Sequence, residues 1–191
     1  MPKNINKRII AIVGMAGSGK SMVASYFHGK GIPAIRFGEI IVSEVARRGL
    51  QLTPNNERLV REDIRARYGM DAVAKLALPH IRECLESNQI VVIDGLYSFS
   101  EYKTLREEFN DKLAVIAVFT PKHERYRRLS IRKERPLSIA EAEERDFLEI
   151  ERIEKGGPIA IADFTIINDS SEADLYRKIE DILKYILGGA V

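Results

Sequence analysis

An eight-residue stretch, GMAGSGKS at residues 14–21, places three glycines, a lysine and a serine directly after the apolar run IIAIV. Glycine inside regular structure costs roughly 0.5–1 kcal/mol relative to alanine, so a packed core gains nothing from three of them. Where the backbone bends sharply, its N–H groups can converge on an anion, and the start of a following helix adds a partial positive charge. The stretch therefore predicts a cradle for phosphate groups.

The pattern of this stretch is that of a P-loop, GxxxxGK[ST], and it lies between a predicted strand and a predicted helix, as a P-loop requires. We expect the Lys20 ammonium to lie near a transferring phosphoryl group and the Ser21 hydroxyl to bind Mg²⁺. The whole loop is predicted to bind the nucleotide, through Gly14, Met15, Ala16, Gly17, Ser18, Gly19, Lys20 and Ser21.

A carboxylate, Asp94, ends the apolar run VVID. Ligands of parallel sheets bind beyond the carboxyl ends of the strands. Asp94 is therefore predicted to be catalytic and to hold Mg²⁺, directly or through water, or to orient an acceptor. The alternative is that Asp94 only caps the turn that follows.

An arginine-rich segment, HERYRRLSIRKERP, places Arg125, Arg128 and Arg132 at i, i+3 and i+7, on one stripe of a predicted helix. Guanidinium groups match phosphate oxygens and stabilise charge that develops on a transferring phosphoryl group. Arg128 and Arg132 are therefore predicted to be catalytic. The alternative is a solvated surface helix, paired with Glu124 and Glu134.

A second basic region follows the predicted second strand, in RFGEIIVSEVARRGL and ERLVREDIRARYG. Its arginines can bind an anionic acceptor, although several must be ordinary surface charges. The candidates for acceptor binding are Arg36, Glu39, Arg61 and Arg65.

The composition limits the class of protein. The chain has 191 residues, a formal net charge of +2, 45% hydrophobic and 30% charged residues, which is typical of a globular protein. So small a charge argues against a protein that neutralises many phosphates of a duplex. The basic segments also lack interleaved aromatic residues, so we expect no nucleic-acid partner.

The single cysteine, Cys84, excludes a disulfide within the chain and a CxxC metal site. No apolar run approaches the roughly 20 residues that span a bilayer. The amino-terminal MPKNINKR has no apolar segment of the kind that a secretion signal needs. We therefore expect a cytoplasmic protein with no membrane partner.

Predicted strands and helices alternate along the chain. Five short apolar strands separated by helices indicate an α/β fold with a parallel sheet covered on both faces. The predicted strands cover residues 7–13, 34–37, 89–95, 112–120 and 162–168. A long helical region between the second and third strands is broken near residues 53–56 and 69–71.

These motifs, in this order, resemble the nucleoside monophosphate kinase branch of the P-loop proteins, and within it the adenylate-kinase-related or dephospho-CoA-kinase-like proteins. The similarity extends from about residue 8 to residue 187, through GMAGSGKS, FGEII, VVIDGLYS, ERYRRLSIRKE, ERDFLEIE and ADFTIIND. It implies a three-layer P-loop NTPase fold with strand order 2-3-1-4-5. It also implies one kinase domain over residues 1–191, with an acceptor-binding helical region near 38–88 and a lid near 121–157.

The resemblance implies an enzyme, a phosphotransferase that uses ATP and Mg²⁺ and acts on a nucleotide-like acceptor such as a nucleoside monophosphate or dephospho-CoA. It places Asn168 near the adenine, although Asn168 is equally well suited to a turn or a helix N-cap. A monomer or a homodimer is compatible with the sequence.

Two departures from the family pattern leave the acceptor open. Many adenylate-kinase-like proteins carry an acceptor-binding arginine soon after DG, whereas DGLYS has Tyr97. Dephospho-CoA kinases carry an aspartate after strand two, whereas RFGE offers Glu39. The acceptor group is therefore a phosphate or a hydroxyl, and the alternative function is a nucleotide-binding regulator or slow ATPase without a small-molecule acceptor.

Overall fold

The computed structural model describes residues 7–188, and most of the amino-terminal segment in which no secretion signal is expected lies outside them. Strands and helices alternate as the apolar pattern predicts. The strands are β1 (Arg8–Val13), β2 (Ala34–Arg36), β3 (Ile90–Asp94), β4 (Leu113–Phe119) and β5 (Phe164–Ile167). The α-helices are α1 (Lys20–Gly29), α2 (Phe37–Arg47), α3 (Pro54–Tyr68), α4 (Ala72–Ser87), α5 (Phe99–Phe109), α6 (Lys122–Ile131), α7 (Ile139–Ile153), α8 (Gly156–Ala160) and α9 (Glu172–Ile186), and a short 3-10 turn covers Asn110–Lys112.

The five strands form one parallel sheet in the order β2-β3-β1-β4-β5, which confirms the predicted fold. The central strands β1, β3 and β4 are covered on both faces, so their apolar runs need no alternation with polar residues. Ile12 of β1 lies beside Asp94 of β3 and beside Ile116 of β4. This register brings the carboxyl end of β3 next to the glycine loop that follows β1.

Helices cover both faces of the sheet. On one face, Phe27 of α1 and Ile179 of α9 are fully buried against the strands. On the other face, α2 to α5 bury a larger apolar layer that includes Phe37, Ile64 and Ile81. None of the helices in residues 7–188 is long and apolar enough to cross a bilayer.

A third, small apolar cluster lies beneath the glycine loop. Ala16 of the loop packs with Tyr126 and Leu129 of α6 and with Ala142 of α7, and all four are buried. Helices α6 and α7 are therefore packed against the loop itself rather than against the sheet.

The prediction that Arg125, Arg128 and Arg132 lie on one stripe of a helix is wrong for Arg132. Helix α6 ends at Ile131, and Arg132 has an extended backbone. The amide of Leu137 donates to the Leu129 carbonyl oxygen at 3.1 Å, so the chain turns back where another helical turn would have formed. Ser138 then begins α7 with a capping box. Arg132 consequently lies in the connection between α6 and α7.

Candidate active site

Glycines let the loop at residues 14–21 approach its neighbours more closely than side chains would allow. The φ angles of Gly17 (79°) and Gly19 (95°) lie in the left-handed region. A Cβ atom on Gly17 would lie 2.7 Å from the carbonyl oxygen of Arg125. One on Gly19 would lie 2.1 Å from Nδ2 of Asn168. The loop is thus shaped by backbone packing against α6 and against the segment after β5.

Several backbone amides of the loop are available to an anion. The Lys20 ammonium folds over the loop and donates to the carbonyl oxygens of Gly14 (2.8 Å) and Met15 (3.0 Å). The start of α1 adds the positive end of a helix dipole at the same place. Across residues 7–188, no backbone carbonyl accepts from the amides of Gly17, Gly19, Lys20 or Ser21. These amides and the Lys20 ammonium fit the phosphate groups that the sequence predicts.

The pKa of Lys20 is low for a lysine. Burial, followed by the nearby Lys155 ammonium, lowers it from 10.5 to about 7, although Glu149 and Asp94 oppose this shift. An anion beside the ammonium would favour the charged form and raise the pKa again. Lys20 is therefore only partly charged near neutral pH until an anion binds.

In front of the loop opens a cleft of about 460 Å³, which we call the phosphate cleft. It lies between the loop, the end of β3 and the connection after α6. Its walls include five residues that the sequence predicts to be catalytic or metal-binding, namely Lys20, Ser21, Asp94, Arg128 and Arg132. The fold thus brings residues from four separate segments to one place.

Ser21 and Asp94 offer oxygen ligands of the kind that Mg²⁺ prefers. Burial raises the pKa of Asp94, while Arg36, whose Nε lies 3.7 Å from Oδ2, and Lys20 act to lower it. In the part of the chain that the structure describes, no group of three or more His, Cys, Asp or Glu side chains could hold a metal ion. Mg²⁺ in this cleft would therefore share its coordination shell with phosphate oxygens and water.

Arg128 and Asn168 are tied together beside the loop. The Arg128 guanidinium donates to Glu124 (2.9 Å), to the Thr120 hydroxyl (3.3 Å) and to the Asn168 carbonyl oxygen (3.1 Å). The Asn168 side-chain amide donates to the carbonyl oxygen of Ser18 at 2.9 Å. Asn168 is buried, so in this structure it braces the loop, and its predicted contact with adenine stays a prediction.

Arg125, the first member of the predicted stripe, points inward. Its guanidinium donates to the Ala16 carbonyl oxygen at 2.8 Å and forms a bidentate pair with Asp146 of α7 at 3.1 and 2.5 Å. The Tyr126 hydroxyl donates to the same carboxylate at 3.1 Å. Arg125 and Asp146 are both buried, so they connect the loop to α7 instead of facing a ligand.

A second cleft, of about 780 Å³, lies between α3 and α7, and we call it the α3–α7 cleft. Arg61 and Arg65, two of the predicted acceptor-binding residues, line it together with Arg58 and Arg152. Burial lowers the pKa of Arg65, whose guanidinium lies 3.5 Å from the buried carboxylate of Glu101. The cleft therefore presents several arginines to any acceptor that enters it, although its lining also includes the carboxylates of Glu62, Glu141, Glu144 and Glu149.

The other two predicted acceptor residues lie elsewhere. Arg36 and Glu39 line a separate cleft of about 400 Å³ between α2 and α4. Arg36 lies 3.6 Å from Glu39 and, as noted, 3.7 Å from Asp94. The four candidates therefore do not form one binding surface in this structure.

Sequence reasoning missed four residues at the junction of the phosphate cleft and the α3–α7 cleft. Tyr97 and Arg145 line both clefts. Glu149 accepts from Arg145 Nε at 3.0 Å and from the Lys155 ammonium at 2.5 Å. The one sequence signal was Tyr97 at the position after DG where related kinases carry an arginine. Arg145 and Glu149 stand out in the sequence only as part of the charged segment expected to form the lid, and nothing in the sequence singles out Lys155.

The fold is that of the P-loop kinases. TT1252 from Thermus thermophilus superimposes with a TM-score of 0.68 at 21% identity, over 94% of this chain and 97% of that protein. A shikimate kinase from Bacteroides thetaiotaomicron superimposes with a TM-score of 0.59 at 14% identity, over 93% of this chain and 98% of that protein. At these identities the similarity concerns the fold.

Sequence comparison gives the family. A family model described as AAA domain matches residues 10–149. A UPF0200 protein of Thermococcus onnurineus is 39% identical over 182 residues, covering 94% of this chain and 98% of the relative. The chain belongs to this AAA-domain family of P-loop NTPases and, within it, to the UPF0200 proteins. The predicted relationship to the P-loop kinases is confirmed.

Proposed function

We propose that the protein is a phosphotransferase that uses ATP and Mg²⁺ and acts on a small, anionic, nucleotide-like acceptor. The observation that carries this proposal is the junction of two clefts. The phosphate cleft and the arginine-lined α3–α7 cleft share Tyr97 and Arg145. An ATP tail in one cleft and an acceptor in the other would meet at these two side chains, which would bring the phosphoryl donor and the acceptor close together for transfer.

The loop and its neighbours bind ATP, the phosphoryl donor. The amides of residues 14–21 bind the triphosphate, and Ser21 and Asp94 hold Mg²⁺. Lys20, Arg128 and Arg132 neutralise the charge that develops during transfer. Bound Mg²⁺ would neutralise part of the negative charge of the phosphate groups. Catalysis then rests on positioning and electrostatics, without a covalent enzyme intermediate.

The helical region at residues 38–88 binds the acceptor, through Arg61 and Arg65. Arg36 orients Asp94, and Glu39 lies beside Arg36. Residues 121–157 act as the lid. The arginines of the α3–α7 cleft favour an acceptor that already carries a phosphate. Asp94, whose pKa is raised by burial, is the carboxylate that would take a proton from a hydroxyl acceptor.

The test is transfer from radiolabelled ATP to a panel of nucleoside monophosphates and dephospho-CoA, with and without Mg²⁺. We expect a labelled product with at least one acceptor, and its loss in Lys20→Ala. Lys30→Ala is the matched control, because Lys30 lies on the surface after the other end of α1, where it pairs with Glu180 and lies over the Tyr26 ring, away from the loop.

Two outcomes would count against the proposal. ATP binding with slow hydrolysis, and no transfer to any member of the panel, would favour the alternative of a nucleotide-binding regulator. Unchanged nucleotide affinity and turnover in Lys20→Ala would remove the loop from the reaction altogether.

A further inference from the structure

Tyr97 and Arg145, the two side chains at the junction of the clefts, are each held by a residue that lies outside the phosphate cleft. The Arg145 guanidinium is bound by Glu149 at 3.0 Å. The Tyr97 ring has the Lys155 ammonium 4.8 Å from its centroid. The same ammonium is bound to Glu149 at 2.5 Å. One lysine, which lines neither cleft, therefore contacts Tyr97 directly and Arg145 through Glu149.

Lys155 is in an unusual place for a lysine. Only 2% of the residue is exposed, and it follows directly after α7. Its backbone amide donates to the Glu149 carbonyl oxygen at 3.1 Å, and Glu154 before it adopts a left-handed backbone with φ of 56°. The chain thus turns sharply to send this side chain inward.

Ending a helix does not need a buried charge. A glycine in the left-handed position followed by any apolar residue would end α7 equally well. Removing an ammonium group from water costs several kcal/mol, which a single carboxylate and an aromatic face only partly recover. The burial of Lys155 is therefore better explained by what its ammonium holds in place than by the stability of the helix end.

We propose that Lys155 is a positioning residue, which holds the Tyr97 ring directly and the Arg145 guanidinium through Glu149, at the point where phosphoryl transfer would occur. This inference rests on the proposed phosphotransferase function. Lys155 itself does not touch the substrates. Its loss should therefore impair the chemical step without weakening the binding of ATP to the loop, because removing its charge also removes one of the causes that lower the pKa of Lys20.

The test compares Lys155→Met with Lys122→Met in the transfer assay. Lys122 is a matched control, since it also pairs with a glutamate of α7 (Glu143, 2.6 Å) and lies over a tyrosine ring (Tyr126, 5.3 Å). Like Lys155 it lines neither cleft, but unlike Lys155 it is exposed. We expect Lys155→Met to lower kcat by roughly 100-fold while KM for MgATP rises by no more than about threefold. Lys122→Met should change neither.

A wild-type kcat in Lys155→Met would overturn the inference, as would a rise in KM for MgATP that matches the fall in kcat. A wild-type protein that transfers phosphate to no acceptor would instead refute the proposed function. Circular dichroism and thermal melting establish that each variant is folded.

A second measurement is independent of activity. In protein labelled on its tyrosine rings, the NMR signal of Tyr97, assigned with Tyr97→Phe, should shift in Lys155→Met and remain in place in Lys122→Met. An unmoved Tyr97 signal in Lys155→Met would overturn the inference whatever the enzymatic result.

Discussion

Lys20 meets two opposing requirements. Its ammonium must be charged to attract phosphate groups, yet the structure surrounds it with loop backbone and places another lysine close by, so its pKa falls to about 7. Loop carbonyls satisfy the ammonium while no phosphate is bound. A bound triphosphate would replace these carbonyls as partners and stabilise the charge. Nucleotide binding should therefore be coupled to the uptake of a proton.

This coupling gives the first prediction at the residue scale. In the proposed function the triphosphate binds the charged form of Lys20, so the pKa of Lys20 in the bound state should lie above its value of about 7 in the free protein. Affinity for a non-hydrolysable ATP analogue should be constant below pH 7 and weaken as the pH rises from 7 towards the bound-state pKa. Calorimetry in two buffers of different ionisation enthalpy measures the proton uptake directly. Uptake that is zero at pH 7.5 would contradict the prediction.

The second residue-scale prediction concerns the acceptor. Arg61 lines the α3–α7 cleft, whereas Arg67 on the same helix is exposed and paired with Asp63 at 2.7 Å. Arg61→Ala should raise KM for the acceptor by about tenfold or more, the loss of one charge-assisted hydrogen bond, and leave KM for ATP unchanged. Arg67→Ala should alter neither constant. Equal kinetics of the two variants would place the acceptor elsewhere.

At the scale of elements, the α6–α7 hairpin is tied to the glycine loop. The buried Arg125–Asp146 pair reaches the Ala16 carbonyl oxygen, and Ala142 packs against the same loop residue. A lid at residues 121–157 would therefore move about this attachment rather than as a free flap. Because Arg145 adjoins Asp146, the position of the loop and that of the junction are connected through two adjacent residues of α7.

The third prediction follows from this pair. Asp146→Asn leaves the Arg125 guanidinium buried without its countercharge, and we expect the free energy of unfolding to fall by about 3 kcal/mol. Urea denaturation followed by circular dichroism measures the change. Arg127→Gln is the control, since Arg127 forms a pair with Glu124 at the surface, where solvent screens the interaction, and its loss should change the free energy of unfolding little. A loss of similar size in both variants would show that the buried pair has no special role.

The sequence predicted the fold and the loop because both depend on local patterns. Apolar runs give the strands, and the spacing of glycine, lysine and serine gives the loop. Prediction from the sequence failed for side chains whose position depends on residues distant in the sequence. The Arg125 guanidinium is buried because the fold places the carboxylate of Asp146, 21 residues later in the sequence, beside it. Tyr97 and Lys155, 58 residues apart in sequence, meet only when α7 packs beside the end of β3.

At the scale of the whole molecule, two clefts built from different parts of the chain open into each other at Tyr97 and Arg145. The phosphate cleft depends on the ends of β1 and β3, whereas the α3–α7 cleft depends on helices that lie outside the sheet. In the proposed function, a substitution in the α3–α7 cleft should therefore alter the acceptor and leave the phosphate cleft unchanged.

The fourth prediction uses this arrangement. A ligand with two adenosines joined by five phosphates can occupy both clefts at once, and linking two binding events raises affinity without new contacts. We expect it to bind about 100-fold more tightly than ATP in fluorescence competition. Arg61→Ala should remove most of this advantage and leave ATP binding unchanged. An affinity equal to that of ATP would mean that the clefts are not occupied together, or that the acceptor is not nucleotide-like.

Both outer strands of the sheet are short: β2 has three residues and β5 has four. An outer strand of that length exposes few unpaired N–H and C=O groups, and so offers a poor template for a strand from another molecule. The long, strongly apolar strands β1 and β4 stand inside the sheet with both edges paired. Intermolecular β-pairing should therefore require the sheet to open first, so aggregation should accompany unfolding and not precede it.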